Sequence, residues 1–159
     1  MGSDILRRPS TLPIALTLMA LLIIVIGGTI RIFDAGESCP DWPKCFGELT
    51  FMVSEDEQGQ WYEAHPDEID SRGVDHRYSL LEIFVEWFHR LLVGIIAVPI
   101  LANMYYCYKN KEKWGNNIFV TSQVSGVLLV VQAIVGALTV NFDNADWSVA
   151  LHLVLALSF

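Results

Sequence analysis

Residues able to do chemistry are scarce in this chain, which has three cysteines and four histidines among 159 residues. No two cysteines stand as Cys-x-x-Cys, which removes the thioredoxin-like motif. No segment is low in complexity, and no shift in composition marks a second, soluble domain. Bases are outnumbered, ten against eighteen acids, so nothing speaks for a nucleic-acid partner. Charge is also sparse in four stretches. Leu12–Ile30, Ile83–Tyr106 and Ile118–Val140 are apolar runs of 19, 24 and 23 residues, and a fourth runs from Trp147 to Phe159. The first run is longer than a signal core of ~7–15 residues and no Ala-x-Ala site follows it, which argues against a cleaved leader.

What is present is apolar: 53% hydrophobic residues and a mean hydropathy of +0.41, high for a soluble domain. At 1.5 Å per residue the first three runs can cross a hydrocarbon core of ~30 Å, whereas the fourth offers ~20 Å. The expected fold is therefore all-α: one integral membrane domain over 1–159, a four-helix bundle with helices at about 12–32, 80–108, 117–140 and 147–159. The short fourth run is read as a sign of truncation. The charge sits in one place. Residues 33–79 hold twelve acids and three bases (Lys44, Arg72, Arg77), so this loop alone carries −9 of the net −8. Arg7 and Arg8 precede the first run, and Lys109, Lys111 and Lys113 separate the second from the third. The positive-inside rule puts those bases in the cytoplasm, and the 33–79 loop and the Asn141–Asp146 turn outside, in an oxidising space. Ser79-Leu80-Leu81-Glu82 reads as a capping box opening the second helix. Pro99 is placed to kink that helix, Pro9 and Pro13 flank entry to the first, and Tyr105, Tyr106, Tyr108 and Trp114 form an inner aromatic belt.

Polar groups within apolar helices are costly and call for a reason. They are Glu82, Glu86, His89 and Arg90 on the second helix, Gln132 on the third and His152 on the fourth. His89 and His152 both lie ~8–9 Å below the outer helix ends, on different helices. Two histidines at one depth suit a heme held between helices. The plainer readings are that each imidazole satisfies a nearby carbonyl, and that Glu86 and Arg90, spaced i, i+4, form an ion pair. Cys39 and Cys45 flank Pro40-Asp41-Trp42-Pro43-Lys44 and are expected to form a disulfide outside, as a staple or as a redox-active pair. Cys107 reads as free packing filler. Gly27, Gly28, Gly126, Ala133 and Gly136 read as close helix packing, with backbone approach to a flat ligand as the alternative.

Taken together these motifs are specific. Gly27-Gly28-Thr29-Ile30-Arg31, then Gly36-x-Ser38-Cys39-Pro40-Asp41-Trp42-Pro43-x-Cys45-x-Gly47, resembles the start of the heme A synthase family. Glu86-Trp87-Phe88-His89-Arg90 resembles its Glu-x-x-His-Arg motif, Gln132-Ala133-x-x-Gly136-Ala137-Leu138-Thr139-Val140 its third-helix motif, and Ala150-Leu151-His152-Leu153 its fourth-helix histidine motif. The resemblance implies one half of an eight-helix plasma-membrane enzyme that oxidises the C8 methyl of heme O to the formyl group of heme A, for terminal oxidases. It implies Glu86 as the reactive carboxylate and His89 and His152 as heme ligands. Cys39 and Cys45 match the family's loop pair, with Arg90, Arg31 and Gln132 in support. A heme b cofactor would belong to the other half. Implied partners are heme O, membrane lipid, heme O synthase, terminal-oxidase assembly proteins and a second copy of the chain. The sequence departs from the family where Phe33-Asp34-Ala35-Gly36 replaces Thr-x-Ser-Gly, and in its long acidic loop. The rival readings are a heme-b electron-transfer protein, a disulfide-exchanging membrane oxidoreductase and a non-enzymatic assembly factor.

Overall fold

The computed structural model describes residues 11–33 and 35–159, with side chains from Pro13 onward. Arg7, Arg8, Pro9 and Asp34 lie outside the described residues. The elements are α1 (Thr11–Ile32), α2 (Glu55–Ala64), a 3-10 turn (Pro66–Glu68), α3 (Leu80–Lys109), α4 (Lys111–Trp114), α5 (Asn116–Asn141) and α6 (Asp146–Ser158). Among the described residues there is no strand, only an isolated bridge between Cys45 and Glu48.

Three helices, α1, α3 and α5, are long and apolar enough to cross a membrane. Their outward faces expose Leu18, Leu22, Val25, Val98, Val127 and Ile134, an apolar surface too extensive for a water-facing protein and suited to lipid. Inside, Ile23 of α1, Ile96 and Ile100 of α3 and Leu129 of α5 form a shared core. α3 packs against α1 and α5, and α6 packs against α5 and reaches α1. Contacts thus run from α1 to α3, from α3 to α5, from α5 to α6 and from α6 back to α1.

Local chemistry sets the helix ends. Ser79 caps α3: its hydroxyl accepts from the Glu82 amide, and the Glu82 carboxylate accepts from the Ser79 amide. α3 runs on through Pro99. Gly115, at φ +83°, turns the chain from α4 into α5, a conformation that favours glycine. Asp143 and Asn144 (φ +46° and +49°) make the α5–α6 turn, where Asx side chains tolerate the left-handed region. Tyr106 packs edge-on to Trp114 with ring centroids 4.8 Å apart, at the lysine-bearing end of the bundle.

The stretch read as a loop is more than a loop. Residues 35–79 fold into a cap with its own core of Cys39, Cys45, Phe46, Val53, Tyr62 and Tyr78, which continues into Ile83 on the first turn of α3. Helix α2 within it starts at a second capping box, Ser54 with Glu57. Gln58, 1% exposed, ties α2 to the start of α3 by both ends of its amide. Its Nε2 donates to the Tyr78 carbonyl at 3.0 Å, and its Oε1 accepts from the Tyr78 amide at 2.9 Å.

Candidate functional site

The cap is fastened to α3 at Glu86 and Arg90, one helical turn apart. The Glu86 carboxylate, 5% exposed, accepts from Ser38 Oγ at 2.9 Å and from the Cys39 amide at 3.0 Å. Its other oxygen lies 2.5 Å from Arg90 Nη2. Arg90 also donates to the Cys39 carbonyl at 2.8 Å, the Lys44 carbonyl at 2.7 Å and the Asp41 carbonyl. A buried carboxylate is tolerable only when paired and hydrogen-bonded, and here it is both. The i, i+4 ion pair is thus present, and its partners beyond α3 belong to the cap; neither His89 nor His152 bonds to Glu86. Ser38, which in the sequence stands out only as part of the cysteine motif, joins this carboxylate to the cap together with the Cys39 amide.

Cys39 and Cys45 are bonded, with Cα atoms 4.5 Å apart, and both are 0% exposed under Phe46, Tyr62 and Ile83. Cys107 is free and buried at the far end of α3, with Sγ 3.8 Å from Asn103 Oδ1. Arg31 pairs with Asp146 (3.0 Å), linking the end of α1 to the start of α6.

The two histidines each sit on a glycine of a neighbouring helix. A Cβ added to Gly27 of α1 would meet His89 Cε1 at 3.0 Å, and one added to Gly136 of α5 would meet His152 Cε1 at 2.8 Å. The glycines therefore serve close packing, and what they admit is the two imidazoles; Gly28 faces open space. Nδ1 of each imidazole is buried without a partner. Gln132 of α5 approaches His152 with its amide nitrogen, 3.2 Å from the ring Nε2 and 3.0 Å from the His152 carbonyl, while its own Oε1 is buried and unpartnered.

An apolar groove of about 430 Å³ runs between α3 and α5, lined by Val93, Ala97, Leu129, Ala133 and Ala137 among others, and by Trp42 of the cap. The lining does not include Glu86, His89 or His152. In donor chemistry the histidines fit a heme: two imidazoles on different helices, each packed on a glycine and each with a buried Nδ1 that lacks a partner. Among the described residues no group of three or more His, Cys, Asp or Glu side chains could hold a bare metal ion.

Outside the membrane-spanning helices, burial is the main influence on Glu37 and Tyr78 of the cap, and neighbouring acids add to it. Burial raises the Glu37 carboxyl above its ordinary value, Asp70 and Asp143 add to the push, and Arg72, 3.9 Å away, opposes it. Burial also raises the Tyr78 phenol, reinforced by the hydrogen bond it donates to Asp70.

Relatives carry names that bear on this arrangement. The chain is similar to proteins named heme A synthase from Exiguobacterium sibiricum (25% identical over 95% of this chain and 42% of the relative), Orientia tsutsugamushi (30%, over 76% and 34%) and Shewanella oneidensis (28%, over 58% and 26%). The chain spans about a quarter to two-fifths of the length of these curated relatives. No solved structure matches it. Residues 10–159, which hold the whole cap, both glycine-seated histidines and the Glu86–Arg90 clamp, match one family throughout, and the chain belongs to it: the cytochrome oxidase assembly proteins.

Proposed function

We propose that this chain is the heme-O-binding unit of a heme A synthase, an enzyme that oxidises the C8 methyl of heme O to the formyl group of heme A. The observation that carries the reading is the pair of glycine-seated imidazoles on α3 and α6, with ring nitrogens left unpartnered in an apolar interior. A buried polar atom without a partner costs free energy, so a site that retains one on each imidazole is expected to have a use for the two rings. His89 and His152 would hold the iron of the substrate heme. A bound heme supplies the redox chemistry that no protein side chain offers for an unactivated methyl. The chain's own residues bind, orient and exclude water. The apolar groove between α3 and α5 suits the hydrophobic body of the substrate, and Trp42 of the cap helps to line it. Glu86 holds the cap down through Ser38 and Cys39, and would serve a bound heme as a proton carrier or a counter-charge. The disulfide, fully buried, acts as a staple of that cap; exchange with an external thiol would require the cap to open.

The finer architecture belongs to the same proposal. The chain forms one membrane domain over 1–159, and α1, α3, α5 and α6 form a four-helix bundle, one of two such units in an eight-helix plasma-membrane protein whose other unit carries heme b. The lysine end faces the cytoplasm and the acidic cap faces outward, as the positive-inside rule requires. Heme O synthase, terminal-oxidase assembly proteins, lipid and a second copy of the chain are the partners this reading expects.

Product analysis tests it. Membranes holding the full natural protein, supplied with heme O, should yield heme A on extraction. Heme O recovered unchanged, from protein that does bind heme, would point to an electron-transfer protein.

A further inference from the structure

Gln132 is oriented by its partners. The His152 carbonyl oxygen can only accept a hydrogen bond, so the Gln132 atom 3.0 Å from it is the amide nitrogen. That same nitrogen lies 3.2 Å from His152 Nε2. An amide nitrogen only donates, so Nε2 must be the acceptor and the ring proton must sit on Nδ1. Flipping the amide would set Oε1 against the carbonyl oxygen; the orientation is kept although Oε1 then lacks a partner. His152 is thereby held as the tautomer whose Nε2 lone pair is free of a proton and covered by one hydrogen bond. His89 differs: neither of its ring nitrogens has a hydrogen bond among the described residues. The two histidines are alike in their glycine seats and unlike in this respect.

We infer that Gln132 is a positioning residue that competes with a heme iron for the Nε2 lone pair of His152, so that His152 is the releasable ligand and His89 the standing one. The inference rests on the two-histidine heme reading above. When iron takes the lone pair, the hydrogen bond from Gln132 to Nε2 is lost, and Gln132 keeps its bond to the His152 carbonyl. The competition therefore stabilises only the heme-free state and weakens iron binding by the worth of one hydrogen bond. A heme that is substrate and must leave as product needs such a weakened ligand, whereas a resident cofactor does not.

Two measurements test this on the full natural protein in detergent. First, the heme-free protein labelled with 15N-histidine should show His152 as the neutral Nδ1–H tautomer with Nε2 accepting a hydrogen bond. An Nε2–H tautomer or an imidazolium there overturns the inference, and this needs no variant. Second, ferric heme is loaded and its transfer to apomyoglobin timed. Gln132→Leu should slow release about 3- to 10-fold, the span expected for removal of one neutral hydrogen bond. Release at the wild-type rate or faster overturns the inference. His152→Ala separates the two levels of argument. If it speeds release while Gln132→Leu changes nothing, only the role of Gln132 fails. If it leaves both the release rate and the low-spin spectrum unchanged, the two-histidine reading fails and takes the inference with it.

Discussion

Arg90 supplies the cap with donors and Glu86 with its counter-charge. Its guanidinium meets the carbonyls of Cys39, Asp41 and Lys44 as well as the Glu86 carboxylate, and its planar fork is suited to such multiple donation. Arg90→Ala leaves Glu86 buried and unpaired, which is expected to cost about 3 kcal/mol or more. The predicted result is a looser cap whose Cys39–Cys45 bond is reduced by a water-soluble phosphine much faster than in the wild type, read by thiol alkylation. An unchanged reduction rate would show that the cap is held by other contacts. Glu37 makes a pH prediction. Its carboxyl is raised by burial and neighbouring acids, so the folded cap binds a proton more readily than the unfolded chain. Between the ordinary carboxylate range and the raised folded value the folded state holds more protons, and cap stability falls as pH rises through that window. Below it the cost disappears; above it the cost is fully present. Glu37→Gln should remove that cost and flatten the pH dependence of cap melting. A variant less stable than wild type at neutral pH would mean that the Arg72 pairing outweighs burial.

At the scale of elements, helix contacts set the imidazoles. Gly136→Ala would drive a Cβ to 2.8 Å from His152 Cε1, so α5 and α6 must separate or the ring must turn. Gly28→Ala meets nothing within 4 Å and exchanges glycine for the best helix former, worth up to about 1 kcal/mol. The expected outcome is opposite signs: lower thermal stability and altered heme binding for Gly136→Ala, unchanged or higher stability for Gly28→Ala. Equal effects would mean that the seat is not specific. Apolar runs of spanning length lie within α1, α3 and α5, because such runs have few folds open to them. Ser79-x-x-Glu82 marks the start of α3 directly. The same pattern at Ser54-x-x-Glu57 was open to the same reading. It is hidden by an acidic, glycine-containing helix with no apolar periodicity, whose stability comes from Tyr62 and Gln58 buried against residues distant in sequence. The glycine seats were equally invisible, since nothing in the chain says that Gly27 faces His89 while Gly28 faces away.

For the molecule as a whole, the cap and the bundle have separate cores, and the cap core reaches the bundle through Ile83 on the first turn of α3. Replacing Cys39 and Cys45 together by serine opens a short loop and is expected to cost about 2 kcal/mol. The bundle should remain in the membrane, with the loss confined to cap order as read by proteolysis of residues 35–79. The family motifs place Glu86 and His89 on one helix and His152 on another, but sequence alone does not show that Glu86 bonds to the cap while the histidines turn to glycines; that depends on rotation about α3 and α6. The central claim is that His89 and His152 jointly hold a heme. The most direct test is the electron paramagnetic resonance spectrum of the full natural protein loaded with ferric heme. The account predicts a low-spin, two-histidine signal that converts to high spin in both His89→Ala and His152→Ala. A low-spin signal surviving unchanged in either variant would contradict it.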